Sequence, residues 1–291
     1  MKRKAFIVFN ANSGKGNSLS IVERLKERYR QEGIDFSIVE TKASSWNNID
    51  AALDSDTTDI VAIGGDGTLN AVVNAMRNHR AVLNIIPAGS GNDYVKNVDI
   101  GRGLNENIET VISGIEQEVD IGDCNGRLFI NGVGLGFDGQ IVADMINKKT
   151  WLQGHVKYYY HVLKILATYQ VIPLEYSISG DTMHSDVLLM TIAKGTTFGG
   201  GFKLTPNADL ADGFLQVCTI SHIAPLSRFL NIYKLSNGSH GDLDAVSFEK
   251  TEKLEISPND SIVGHIDGEY LGHPPFKIRV IPKALKLRVR K

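Results

Sequence analysis

A chain of 291 residues that is 42% apolar and 22% charged has the make-up of an ordinary folded protein, long enough for one large core or two moderate ones. A formal net charge of -2 excludes whole-chain attraction to nucleic acid or to an anionic bilayer, so any such attraction must be local. Cys124 and Cys218 are isolated and the eight histidines are scattered. That pattern argues against a disulfide framework, gives no support for a catalytic zinc, and fits a reducing compartment.

In chain order, Ala5–Phe9 reads as a buried strand that runs into Asn10-Ala11-Asn12-Ser13-Gly14-Lys15-Gly16. A helix follows over Ser20–Gln31, with Ile21, Val22, Leu25 and Tyr29 on one face. Phe36–Glu40 is the next strand, closed by Thr41, and Trp46–Leu53 is a helix. Then comes Ile60–Ile63, an apolar run that ends in Gly64-Gly65-Asp66-Gly67-Thr68-Leu69-Asn70-Ala71, with a helix over Leu69–Arg77. Leu83–Ile86 runs into Pro87-Ala88-Gly89-Ser90-Gly91-Asn92-Asp93, and Asn105–Ser113 is a further helix. This alternation implies a parallel sheet flanked by helices.

From about Asp120 the pattern changes to strands: Leu128–Val133, Glu175–Ser179, Asp186–Ala193, Phe214–Ile220, Lys253–Ser257, Ile262–Ile266, Phe276–Val280 and Leu285–Val289. Two helical stretches interrupt them, Thr150–Tyr169 and Leu226–Leu235. The expected fold is an N-terminal α/β domain with a parallel sheet over residues 1–122, then an antiparallel β-sandwich domain over 123–284. The last strand, 285–291, is expected to return to the first domain.

Three small-residue turns at the ends of successive parallel strands would gather on one sheet edge, where open α/β sheets bind ligands. Glycines let the backbone approach an anion, and the helix N-termini that follow supply free N–H groups. One acid among three glycines, Asp66, suits a divalent cation lying between it and phosphates better than a plain turn. No standard nucleotide signature is present. Phe9 stands where a P-loop needs its first glycine, and Gly65-Asp66-Gly67 leads to Asn70. Gly134-Leu135-Gly136-Phe137-Asp138-Gly139 has the Gly-x-Gly-x-x-Gly spacing, but no acid ends a second strand about 20 residues on. It reads as a packed turn.

Asn-x-x-Ser-Gly-Lys at Asn10–Lys15, Gly-Gly-Asp-Gly-Thr-Leu-Asn at Gly64–Asn70, Gly-Ser-Gly-Asn-Asp at Gly89–Asp93 and the late Asp267-Gly268-Glu269 together resemble the diacylglycerol kinase catalytic family, in particular its soluble bacterial lipid kinases. The resemblance implies ATP and Mg²⁺ as cofactors and transfer of phosphate to a lipid hydroxyl, first of all that of diacylglycerol. It places ATP along Asn10, Ala11, Asn12, Ser13, Gly14, Lys15 and Thr41, along Gly65, Asp66, Gly67, Thr68, Leu69, Asn70 and Ala71, and along Gly89, Ser90, Asn92 and Asp93. Ser90 stands where a threonine is usual. The family's active site lies in the cleft between two domains.

Asp267-Gly268-Glu269 by itself is equally a hairpin turn or an acidic pair able to take a hydroxyl proton. The resemblance makes Glu269 the base and Asp267 its support. Asp209-Leu210-Ala211-Asp212-Gly213-Phe214 by itself is equally an ordinary Asp-Gly turn. The resemblance gives it a structural Mg²⁺, held by Asp212 and the carbonyls of Asp209 and Phe214. Relatives often carry a second acid where this chain has Ala211. An NAD kinase is the enzyme rival, and a non-catalytic nucleotide sensor is the rival from another class.

Met1-Lys2-Arg3-Lys4 starts like a signal peptide, but the apolar run behind it ends at Phe9, and no later run is long enough to span a bilayer. The expected location is cytoplasmic with transient, peripheral membrane contact, and a homodimer is compatible with the family. Lys148, Lys149, Lys157 and Lys164, beside Trp151 and Tyr158 to Tyr160, form the best basic-aromatic cluster for an anionic surface. Its aromatics run all round the segment, so a covering helix is the first reading.

Overall fold

The computed structural model describes residues 2–13, 17–41, 46–147 and 154–291. The chain forms two compact units, the first comprising Met1–Ile121, Leu210–Asp212 and Ile281–Lys291, the second Gly122–Asp209 and Gly213–Val280.

In the first unit, β1 (Lys4–Phe9), β2 (Asp35–Glu40), β3 (Asp59–Gly64) and β4 (Val82–Pro87) form a parallel sheet in the order β2-β1-β3-β4. Helices α1 (Asn17–Gln31), α2 (Asn47–Ala52), α3 (Asp66–Ala75) and α4 (Leu104–Ser113) connect and follow these strands. β1, β3 and most of β4 are buried, so they read as mostly apolar runs, with the buried Asn84 inside β4. Ile21, Val22, Leu25 and Tyr29 of α1 pack with Ala5, Ile7, Val61, Ile63 and Ile86 in one core. The chain goes from β1 to one side and returns to the other at β3. The carboxyl ends of β1 and β3 therefore flank a topological switch point, the ligand-binding position of such sheets.

In the second unit, β7 (Gly132–Gly136), β10 (Leu189–Ala193), β11 (Leu215–Ile220), β12 (Val246–Thr251), β14 (Gly264–Ile266) and β15 (Glu269–Gly272) form an antiparallel sheet in the order β12-β11-β10-β7-β14-β15. A second antiparallel layer contains β8 (Ile172–Ile178), β9 (Asp181–Val187), β13 (Lys253–Ile256) and the start of β16 (Phe276–Val289). Val133, Leu135, Met190, Ile192 and Val217 of one layer pack with Leu174, Tyr176, Leu254, Ile256 and Ile278 of the other. The end of β16 pairs in parallel with β4 in the first unit's sheet, through Leu287 and Leu83.

Several elements differ from the sequence reading. α3 begins at Asp66 rather than Leu69, because Asp66-Gly67-Thr68 is the helix's first turn, not a loop before it. Leu128–Val133 is not one strand. β6 (Arg127–Phe129) and β7 are separated at Ile130-Asn131, whose N–H groups go to the Asp267 carboxylate instead of a ladder. Asp186–Ala193 divides into β9 and β10 at Leu188, whose N–H bonds to Ile220. Phe276–Val280 and Leu285–Val289 are one strand of 14 residues. β5 (Ile115–Cys124), β12 and α5 (Phe137–Asn147) were not anticipated, and α5 begins inside the glycine pattern read as a packed turn. The interrupting helices are α6 (Gly154–Thr168) and α7 (Pro225–Asn237).

Candidate active site

The first unit brings three turns to the carboxyl edge of its sheet, after β1, β3 and β4. After β1, the Asn10 side chain accepts the Asn12 N–H at 2.9 Å, a local turn that asparagine favours. The buried Ser18 hydroxyl donates to the Asn10 carbonyl at 2.8 Å and ties the turn to the start of α1. Gly14 and Lys15 lie outside the described residues. Thr41 is buried, and its N–H bonds to the Phe9 carbonyl at 2.8 Å, which sets it at the end of β2 beside β1.

The turns after β3 and β4 pack on each other. The Ala88 N–H bonds to the Gly64 carbonyl at 2.8 Å. A Cβ on Gly89 would collide with the Gly65 Cα, so this close approach of the two backbones requires glycine at 89. Asn92 clamps the third turn. Its Oδ1 accepts from the Gly89 N–H at 3.0 Å, and its Nδ2 donates to the Gly89 carbonyl at 2.8 Å. Gly65 precedes α3, and Asp66 is the first helical residue, where the helix dipole favours an anion. A small pocket lined by Gly64, Gly65, Asp66, Leu69, Asn92 and Val95 opens here. Thr68, Asn70 and Ala71 are buried in the body of α3, and Ser90 is exposed.

Asp66 Oδ1 accepts the Tyr94 N–H at 3.2 Å. Burial pushes the Asp66 carboxyl above the usual carboxylate range, and the neighbouring Asp93 pushes the same way, against the Tyr94 and Asp93 N–H groups. Asp93 is itself buried and paired with Lys96 at 2.6 Å. A partly buried carboxylate beside a second acid gains from a divalent cation when ionised, and oxygen donors are what a hard cation prefers. The donor set at Asp66 therefore fits a metal-nucleotide. Among the described residues no group of three or more His, Cys, Asp or Glu is arranged to hold a metal without a ligand's help.

In the second unit, Asp267 and Gly268 form a tight turn between β14 and β15, with φ of 47 and 81. Both values are positive, as the commonest two-residue hairpin requires. The Asp267 carboxylate is fixed by three backbone N–H groups: Ile130 at 3.0 Å, Asn131 at 3.0 Å and Gly132 at 2.8 Å. These bonds hold its strained backbone and occupy its oxygens. Glu269, at the start of β15, is partly exposed and forms an ion pair with Arg127 on β6.

Three side chains that sequence reasoning missed support this turn. Arg127 is one, and no local pattern marks it. The others are His265 and Asp138. His265 Nε2 lies 3.2 Å from Asp138 Oδ2, while the Gly268 N–H points to His265 Nδ1 at 3.3 Å. The ring hydrogen therefore sits on Nε2 and is donated to Asp138. The pair lies over Gly134, where any Cβ would collide with both side chains. The glycine pattern around Gly134 thus makes room for a His–Asp pair.

Of the proposed metal loop, Asp209 and Phe214 belong to the second unit and Asp212 to the first. The Phe214 carbonyl accepts Lys194 Nζ at 2.8 Å. Of the basic-aromatic cluster, Lys148, Lys149 and Trp151 lie outside the described residues, as do the side chains of Lys157, Tyr158 and Tyr159, while Tyr160 and Lys164 are exposed.

Residues 4–124 match the diacylglycerol kinase catalytic domain, and residues 131–289 match the YegS C-terminal NAD kinase beta sandwich-like domain. The chain belongs to the diacylglycerol kinase family. It is a kinase of the lipid kinase type. It is 26% identical over 280 residues to a diacylglycerol kinase of Bacillus subtilis (strain 168), covering 94% of this chain and 92% of that one. It is 28% identical over 281 residues to one from Staphylococcus aureus (strain MRSA252), covering 94% and 89%. A crystal structure of a diacylglycerol kinase from Bacillus anthracis strain Sterne shares the fold with a TM-score of 0.74 at 21% identity, covering 99% and 97%. The parallel α/β unit and the antiparallel sandwich are thus the two parts of a diacylglycerol kinase fold.

Proposed function

We propose that this chain transfers the γ-phosphoryl group of ATP to the free primary hydroxyl of a diacylglycerol, giving a phosphatidic acid. The observation that carries the reading is the Asp66 carboxylate, raised by burial and set among glycine turns at a sheet edge, in a chain of this family. Bound Mg²⁺ would neutralise charge on the nucleotide's phosphates. The work of the chain's own residues is positioning and charge placement, because phosphoryl transfer passes through a loose transition state. The backbone of the turns at Asn10–Ser13 and Gly89–Asp93 and the N-terminus of α3 hold the phosphate oxygens. Asp66 would hold the cation, and Lys15 would add positive charge. Glu269 takes the acceptor's proton as its oxygen bonds to phosphorus and the bond to ADP breaks. Arg127 and the Asp267 turn aim Glu269.

The lipid acceptor requires contact with a bilayer. Among the described residues no helix is long and apolar enough to cross one. Support for transient contact comes from exposed apolar side chains on α7, where Leu226, Leu230 and Tyr233 are 73%, 66% and 59% exposed, and on neighbouring α6, where Leu163 is 52% exposed. Neither helix carries an acid. Arg228 holds α7 to the end of α6 through the carbonyls of Leu166 and Tyr169. Such apolar faces lie in bilayer interfaces.

The test is a radiolabelled-ATP assay against diacylglycerol, a sphingoid base, ceramide, a polyprenol and phosphatidylglycerol in mixed micelles, with NAD in parallel. The reading expects diacylglycerol to be labelled fastest. Preferential labelling of another lipid overturns the substrate, and labelling of NAD alone overturns the lipid kinase reading.

A further inference from the structure

Lys194 follows β10 directly and is fully buried, at 0% exposure. A buried ammonium is costly unless it is hydrogen-bonded. Its Nζ donates to the Phe214 carbonyl at 2.8 Å, the oxygen that the family resemblance assigns to a structural Mg²⁺. A Mg²⁺ ion needs its oxygens at about 2.0–2.1 Å and near-ideal octahedral geometry. On the same carbonyl it would stand within about 5 Å of the ammonium, the sum of those two bond lengths. Two cations that close inside a protein repel strongly. The loop also has Ala211 where relatives often have a second acid, which leaves Asp209 and Asp212 as its carboxylates against two cations. The residues present do not fit the metal.

We infer that Lys194 stands in for the metal of the Asp209–Phe214 loop, and that this loop holds its conformation without any divalent cation. The ammonium does what a structural cation does: it gathers a backbone carbonyl of the loop and links it to neighbouring structure. The link is explicit. The N–H groups of Lys194 and Gly195 both bond to the Asn131 carbonyl, at 2.9 and 3.0 Å. The Asn131 side chain donates to the Thr197 carbonyl at 2.8 Å, and the Asn131 N–H donates to Asp267 Oδ1 at 3.0 Å. Lys194 therefore joins the Phe214 backbone to the segment that fixes Asp267. It is a positioning residue for the acidic turn, and only that consequence rests on the kinase reading. Metal independence stands apart from it.

The test measures unfolding, not turnover. The full chain carrying Asp66→Asn, which removes the other cation position, is melted in EDTA and in rising MgCl₂, without nucleotide or lipid. The two curves are expected to coincide. A Tm that falls in EDTA and recovers with MgCl₂ would overturn the inference. In the same background, Lys194→Asn with Ala211→Asp restores an acid and removes the ammonium. Its Tm is expected to be lower in EDTA and to rise by several degrees with MgCl₂. A folded double variant with no response to MgCl₂ also counts against Lys194 standing in a cation position. If the double variant does not fold, the EDTA comparison on Asp66→Asn still decides.

Discussion

The two acidic turns of this chain, one in each unit, are built in opposite ways. Asp66 sits among glycines, with the Tyr94 N–H at 3.2 Å, and burial dominates its protonation. Asp267 is held by three N–H groups at 2.8 to 3.0 Å, and Glu269 beside it is paired with Arg127. In the first turn the backbone is packed tightly and the carboxylate keeps few fixed partners. In the second the carboxylates are tied down by backbone N–H groups and Arg127. The difference matches the two tasks proposed for them: charge neutralisation needs an acid whose partner arrives with the substrate, whereas proton transfer needs an acid whose position is fixed beforehand.

The largest effect that would break this contrast is expected at Asp66. Asp66→Asn should lower turnover by about a thousandfold, the scale for losing a preorganised electrostatic group. The same change should raise Tm at neutral pH. Because the folded state raises the Asp66 pKa, its contribution to stability is present below the unfolded value and lost as pH rises through the folded one. Asparagine removes that loss. Scanning calorimetry and steady-state turnover on one preparation check both halves. A variant that is inactive because it is unfolded would contradict the account.

Glu269→Gln is expected to lower kcat by about a hundredfold with KM for ATP unchanged, as for loss of a general base. A raised KM at full kcat would place Glu269 on the nucleotide instead. Asp267→Asn shows the contrast in stability. An amide cannot accept from all three N–H groups, so urea unfolding should show a loss of about 2 kcal/mol. Near-neutral stability would mean that the three bonds do not anchor the turn.

Much of this arrangement is legible in the residues, for physical reasons that also explain what is not. β1 and β3 are continuous apolar runs because both faces are buried, and the buried face of α1 falls at the spacing that its period requires. The glycine turns are visible because so few residues fit such a backbone. β5 escapes because its first four residues are exposed and mostly polar, so no alternation marks it. The break at Ile130-Asn131 escapes because its cause, the Asp267 carboxylate, lies 137 residues away from Ile130 in sequence. Arg127 and His265 are found only through their partners. Lys194 left a trace, a lysine closing the apolar run Leu188–Ala193, which ought to raise the question of what pairs with it.

The smallest effect expected is at the His265–Asp138 pair, which touches the turn through the Gly268 N–H. His265→Gln and Asp138→Asn should each lower kcat by about tenfold, and the double variant should be little worse than either, since both remove one linkage. Additive losses would mean that the two side chains act separately.

The account stands most directly on Asp66 acting through a cation. Calorimetric titration with ATP, in Mg²⁺ and in EDTA, measures this on the wild type and on Asp66→Asn. The wild type should bind the nucleotide more tightly with Mg²⁺. In the variant that preference should vanish, while metal-free ATP binds no more weakly than before. A variant that keeps the full preference for Mg²⁺ would show that the cation is held elsewhere, and the division of labour between the two acidic turns would fail.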